Sequence, residues 1–239
     1  MRAVVAQTRM ELRLMSRRGE NILITMIVPL VLLLFFASTE VLPLAGQTRL
    51  EFLVPGILTL AIMSTGLVGL GIATAYERHY GVLKRLGGSP LTRPQLIAAK
   101  INSVLVIELL QIGLLIGVAS VVLGWRPMGS LLIAAIAALL GTIAFSGLGL
   151  LMSGLRAETA LASANALYLI LLLIGGIFLP ATHLPSMVAN LVPFLPTNAL
   201  ADLLRSSLAG ESIDVSNFVV LAIWAIVGVT FTVNSFKWE

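Results

Sequence analysis

Cysteine is absent from the 239-residue chain, which excludes a disulfide framework and thiolate chemistry. Charge is scarce as well: Asp, Glu, Lys and Arg make up 11%, where soluble domains carry about a quarter. Only two histidines occur. His79 and His183 fall in segments that would lie on opposite sides of a membrane, so they cannot share a metal. No GxxxxGK[ST] segment occurs, so the chain has no loop to cradle a nucleotide triphosphate. HExxH and GxSxG are missing too, and no histidine sits near a nucleophile and a carboxylate as a triad needs. No catalytic, cofactor or metal residue is therefore assigned.

What remains is apolar. Hydrophobic residues make up 58% of the chain and the mean hydropathy is +1.03. A soluble protein of this size could not hide so much apolar side chain. The composition predicts a single all-α transmembrane domain over residues 1–239. A bilayer core about 30 Å thick needs ~20 apolar residues per helix. Six segments meet or approach that length: 22–39, 52–75, 97–123, 130–152, 159–179 and 216–235. They are continuous rather than alternating, which argues against strands.

Lys and Arg set the orientation. With the N-terminus inside, the cytoplasmic segments hold twelve: Arg2, Arg9, Arg13, Arg17, Arg18, Arg78, Lys84, Arg85, Arg93, Lys100, Arg156 and Lys237. The outside holds three, Arg49, Arg126 and Arg205. Both termini are expected in the cytoplasm. The opening stretch 1–20 holds five of the arginines and lacks the apolar core of a cleavable signal. Arg2, Arg9, Arg13 and Arg17 fall within about 80° on a helical wheel. That predicts an amphipathic helix on the cytoplasmic interface, its basic face toward anionic head groups, with Gly19 ending it. Residues 180–215 form the long outer loop. Pro180, Pro185, Pro193 and Pro196 divide it into apolar pieces too short to span, as re-entrant or interfacial helices would be.

Glu108 lies near the middle of the third span, where a charge is costly unless paired, hydrated or protonated. Gln111 is one turn on and could share a network. Two readings stand side by side: a lining residue of a polar translocation path, or a carboxyl bonded to a neighbouring helix at Asn165 or Thr142. Gly66, Gly69, Gly71, Gly113, Gly117, Gly147 and Gly149 permit close helix approach. The GxxxG at 113–117 fits packing within one subunit or a dimer face.

Residues 76–96 form the main basic loop. Glu77-Arg78-x-x-Gly81-Val82-Leu83-Lys84-x-Leu86, then Ser89-Pro90-Leu91 and Leu96 to Lys100, resembles the cytoplasmic loop of type-2 ABC transporter permeases. That loop reads roughly E-R-x-x-G-T-L-x-x-L, then T-P-L, then L-x-x-G-K; here Val82, Ser89 and Ala99 are mild departures. Gly176 to Pro180, Pro185, Pro196, Arg205 and Gly210 are similar to the family's outer-loop pattern. Pro196-Thr-Asn-Ala stands where the family often has P-x-x-Y.

The resemblance implies six spans, re-entrant outer helices between spans five and six, and a coupling helix in the basic loop. It further implies a separate ATPase subunit that binds the ATP and Mg, a second permease copy, and a place in a bacterial cytoplasmic membrane. Drug and antibiotic exporters of the daunorubicin-resistance type look most similar. Glu77, Arg78, Tyr80, Gly81, Leu83, Lys84, Leu86 and Pro90 are then the residues that couple to the ATPase. A helix over Glu77–Leu86 would run about three turns, with Tyr80, Leu83 and Leu86 as its apolar stripe and Gly87-Gly88 as its stop. The implied cargo is a drug-like or lipid-like amphipathic compound, with a glycan or lipid-linked substrate as an alternative. A proton-coupled carrier or a stand-alone membrane enzyme using Glu108 is the other class. The residues suggest no nucleic-acid partner.

Overall fold

The structure is a computed structural model that describes residues 2–17, 19–39, 49–177 and 189–238. Among the described residues every regular element is helical. Helix α1 is Arg2–Arg17 and α2 is Gly19–Ser38. Helix α3 runs from Arg49 to His79, with a π-helical turn at Ser64–Gly69. The short α4 is Val82–Gly87. Then come α5 (Arg93–Val121), α6 (Leu131–Met152), α7 (Ala157–Ile174), α8 (Pro196–Ala209) and α9 (Val215–Ser235).

Five of these, α3, α5, α6, α7 and α9, are long and apolar enough to cross a bilayer. Helix α2 adds a shorter apolar stretch, Thr25–Ser38. The chain is an all-α polytopic membrane protein. The helices start and stop close to the expected spans. Helix α3 runs further at both ends, because backbone bonding continues past the oil-thick part that hydropathy detects. Helix α7 ends early, where Gly175 caps it and Gly176 takes φ 70°.

Helix α3 is the most enclosed of the five. Lipid is as apolar as leucine, so van der Waals fit rather than dewatering must hold it. Glycine supplies the fit. A Cβ on Gly71 would meet the Gly149 carbonyl oxygen at 2.7 Å, and one on Gly149 would meet Gly66 O at 2.5 Å. On the other side of α6, a Cβ on Gly147 would meet the Gly228 backbone at 2.9 Å. The Thr232 hydroxyl donates to Gly147 O there at 3.0 Å. Helices α3, α6 and α9 thus pack backbone to backbone. Gly113 and Gly117 differ: among the described residues nothing lies within 4 Å of a Cβ on either, outside their own helix backbone.

Contacts gather the basic segments at one end. Arg78 Nη1 donates to Ser153 O (2.7 Å) in the turn after α6, and Nη2 to Lys237 O (3.2 Å) in the C-terminal tail. Its guanidinium stands 5.6 Å from the Phe236 ring centroid. The far end is closed differently. Backbone N–H groups of Met128, Gly129 and Ser130 donate to the last carbonyls of α8, Leu208 O and Ser207 O, which a helix C-terminus leaves without partners. Helix α8 has 14 residues, too few to span. It is buried among α3, α6 and α9, with Leu200 filling the space over Gly141.

Candidate functional site

The basic loop does not form one helix from Glu77 to Leu86. Helix α3 carries Glu77 and Arg78 to its end at His79, and Gly81 then takes φ 71°. That left-handed turn suits glycine and breaks the helix. The new helix, α4, covers only Val82–Gly87, with Gly88 as its cap. Ser89 and Pro90 turn the chain into α5. There Thr92 and Gln95 form a reciprocal capping box, legible in T-R-P-Q as the S/T-x-x-E/Q pattern.

The expected apolar stripe divides in two. Leu83 is 0% exposed and sits among Leu70, Leu96, Ile97 and Phe236, with Leu86 and Trp238 against the same cluster. It anchors α4 to the bundle. Tyr80 is 69% exposed, stacked on Tyr76 at 6.1 Å and edge-on to His79 at 5.2 Å. Val82, Lys84, Arg85, Ser89 and Pro90 are also exposed. The Trp238 ring covers Gly87; a Cβ there would lie 3.0 Å from it. The outcome is a rigid knob with an aromatic and basic surface.

The base of that knob is a buried ion triad. Lys100, 1% exposed, places Nζ 2.6 Å from Glu77 Oε2 and 3.2 Å from Glu11 Oε1. Gln7 Nε2 also donates to Glu11 Oε1 at 2.8 Å. Glu11 lies on the side of α1 away from the arginines, so α1 is clamped to α5 through this pair. Glu77 precedes the knob and Lys100 follows it, so the triad ties both its legs together. From the sequence, Lys100 is placed among the topology charges and at the end of the loop motif, with no partner assigned. A Glu within the basic amphipathic helix, opposite its arginines, was the available signal.

The second site is in mid-membrane. Glu108 is 1% exposed. The Thr142 hydroxyl of α6 donates to Glu108 Oε2 and also lies 2.9 Å from Ala138 O. One hydroxyl proton serves two acceptors. Glu108 Oε1 has no partner, and no ion pair among the described residues involves Glu108. Such an unsatisfied buried group costs about 1–3 kcal/mol, more for a charge. Beside it lies a cavity of about 450 Å³ between α3, α5, α6 and α8, otherwise lined by Leu, Ile and Ala.

Neither of the other two polar residues shares this site. Gln111 donates from Nε2 to Thr25 O of α2 (2.7 Å) and accepts from Thr65 Oγ1 (3.4 Å). It thus pins the π turn, where local strain often collects. Asn165 is exposed and donates back to Leu161 O within α7 at 2.8 Å. Its side chain spends itself on its own helix, so Thr142 rather than Asn165 holds Glu108.

At the far end Arg205 donates from Nη2 to Gly176 O (2.8 Å) and Ile177 O (3.0 Å), the exit of α7. Nη1 pairs with Asp202 Oδ1 at 3.2 Å, and the guanidinium lies 4.0 Å from the Phe52 ring centroid. Asn198 donates to the other Asp202 oxygen at 2.9 Å. Pro196 opens α8, where its missing N–H costs nothing. Asp202 and Asn198 went unnoticed in the sequence, although the i,i+3 spacing of Asp202 to Arg205 and the i,i+4 spacing of Asn198 to Asp202 were a local signal of that support. Pro180, Pro185 and His183 lie outside the described residues.

Comparison with known proteins adds an independent line. The family model described as "ABC-2 type transporter" matches residues 2–209. The chain is similar to the "Probable multidrug ABC transporter permease YbhS" of Escherichia coli K12, 24% identical over 168 residues. That match covers 69% of this chain and 45% of YbhS, so the chain spans about half the length of that relative. It is also similar to the "Putative transport permease YvfS" of Bacillus subtilis, 24% identical over 201 residues and covering 82% of each.

Proposed function

The chain belongs to the ABC-2 type transporter family, and from that premise we propose that it is the membrane permease subunit of an ATP-driven exporter. The observation that carries this reading is the knob at residues 80–92. Leu83 and Trp238 fix it to the bundle, the ion triad braces its base, and Tyr80, Arg85 and Pro90 are left on its surface. A rigid projection of that kind fits a groove of a partner and passes the partner's motion to α3 and α5 as a rigid-body shift. The partner is an ABC ATPase subunit, which binds ATP and Mg. A second permease copy completes the assembly.

In this reading α2 is the first of six spans, and α8 is the re-entrant helix between spans five and six. The basic end, with both termini, faces the cytoplasm of a bacterial cell. The cargo is a drug-like or lipid-like amphipathic compound, which accords with the apolar cavity and with the naming of YbhS as a probable multidrug permease. Its direction is outward.

The test is co-purification of the chain with an ABC ATPase encoded beside it, together with ATP-dependent efflux. Tyr80→Ala with Arg85→Glu is expected to abolish both while leaving the permease folded. Retention of both would remove the knob's assignment. A second reading, a proton-coupled carrier, rests on the bare Glu108 oxygen. Efflux that survives ATP depletion at a constant proton gradient would favour it.

A further inference from the structure

The cavity beside Glu108 has a shape and a polarity that together specify a ligand. Its volume, about 450 Å³, lies in the range of sites for drug-sized molecules, roughly 300–1,000 Å³. Among the described residues that line it, Glu108 and Thr142 alone are polar. Thr142 is already committed to Glu108 and to its own helix. Glu108 Oε1 is sealed from solvent and has no partner among the described residues. A carboxyl oxygen in hydrocarbon depth is among the most costly groups to leave bare. The residue that carries it lines a space large enough to admit what would satisfy it.

Access is from the side. Leu109 of α5 is 69% exposed, and Leu131 and Leu139 of α6 are 55% and 43% exposed. These three form an apolar rim between two neighbouring helices, continuous with the surface that meets lipid. Among the described residues no cationic side chain lines the cavity to attract an anion. A neutral guest without a hydrogen-bond donor would fill the apolar walls and leave Oε1 unsatisfied. We propose that this cavity is a lateral binding site for a lipophilic cation, an amphipathic ammonium or phosphonium that enters from the lipid phase, with Glu108 as its counter-ion. This deepens the transport reading and rests on it for the cargo's later fate, but binding itself needs neither ATP nor a partner.

The test uses the full-length chain in lipid nanodiscs, without ATPase, and two probes of one shape and opposite charge, radiolabelled tetraphenylphosphonium and tetraphenylborate. The expected result is that the cation binds at least about tenfold more tightly than the anion. Glu108→Gln, close in size and still able to bond Thr142, should remove that preference. Ala135→Phe, at the exposed mouth of the cavity, should weaken both probes. Equal binding of the two probes to the wild type would overturn the proposal. So would a cation preference that survives Glu108→Gln. If that variant does not fold, Ala135→Phe decides: unchanged cation binding would place the cation elsewhere and sink the site. Loss of ATPase association with intact cation binding would fault the transport reading alone, and the reverse pattern would fault this site alone.

Discussion

Lys100 and Glu108 stand about two turns apart on α5, and each is 1% exposed. Their surroundings differ in kind. Lys100 has two carboxylates within 3.2 Å, from α1 and α3. Glu108 has one shared hydroxyl, a bare oxygen and a cavity beside it. Burial by itself therefore does not separate a framework charge from a functional one. Satisfaction does: a fully paired network locks one arrangement, whereas a half-satisfied group beside empty space is set for a guest.

The sharpest way to break this comparison is Lys100→Met. It strands Glu11 and Glu77 together, and removing one partner of a buried ion network costs about 3–5 kcal/mol. Thermal unfolding of the detergent-solubilised chain should show it, and adding Glu11→Gln and Glu77→Gln should recover most of the loss. Next comes Thr142→Val, which takes away the one hydrogen-bond donor to Glu108 among the described residues. About 1–3 kcal/mol is expected, read in the same assay. Glu11→Gln should be milder, about 1–2 kcal/mol, because Lys100 keeps Glu77 at 2.6 Å. Its separate sign is loosening of α1, seen as faster proteolysis near Arg13. Smallest is Glu108→Leu. An apolar replacement leaves Thr142 bonded to Ala138 O, so stability should stay within about 1 kcal/mol or rise, while cation binding disappears. A loss comparable to that of Lys100→Met would show that the two sites are alike after all.

The glycines repeat the lesson in packing. Gly149 and Gly113 look equivalent in the chain. Only Gly149 meets backbone at 2.5 Å when given a Cβ, and Gly113 meets nothing within 4 Å. Small residues on a helix announce that something can approach, not what does. The loop shows the same division. The stop at Gly87-Gly88 and the turn at Ser89-Pro90 were readable from their residue types. The break at Gly81 was not, because glycine tolerates a helix as well as the left-handed turn it adopts here. Thr142 was named as a possible partner of Glu108, but alongside Asn165, and the choice between them needed the facing helix.

The sequence by itself determined the class of protein and which stretches form long apolar helices. Those follow from length, hydropathy and charge along the chain, and a bilayer tests each segment against nearly the same local rule. Only the tertiary structure decided which buried charges are satisfied, which glycines touch, and where a cavity is left. Each depends on groups far apart in the chain, Glu11 with Lys100, Gly71 with Gly149, Glu108 with Thr142. Such pairs meet only after the helices pack, and no local pattern records the meeting.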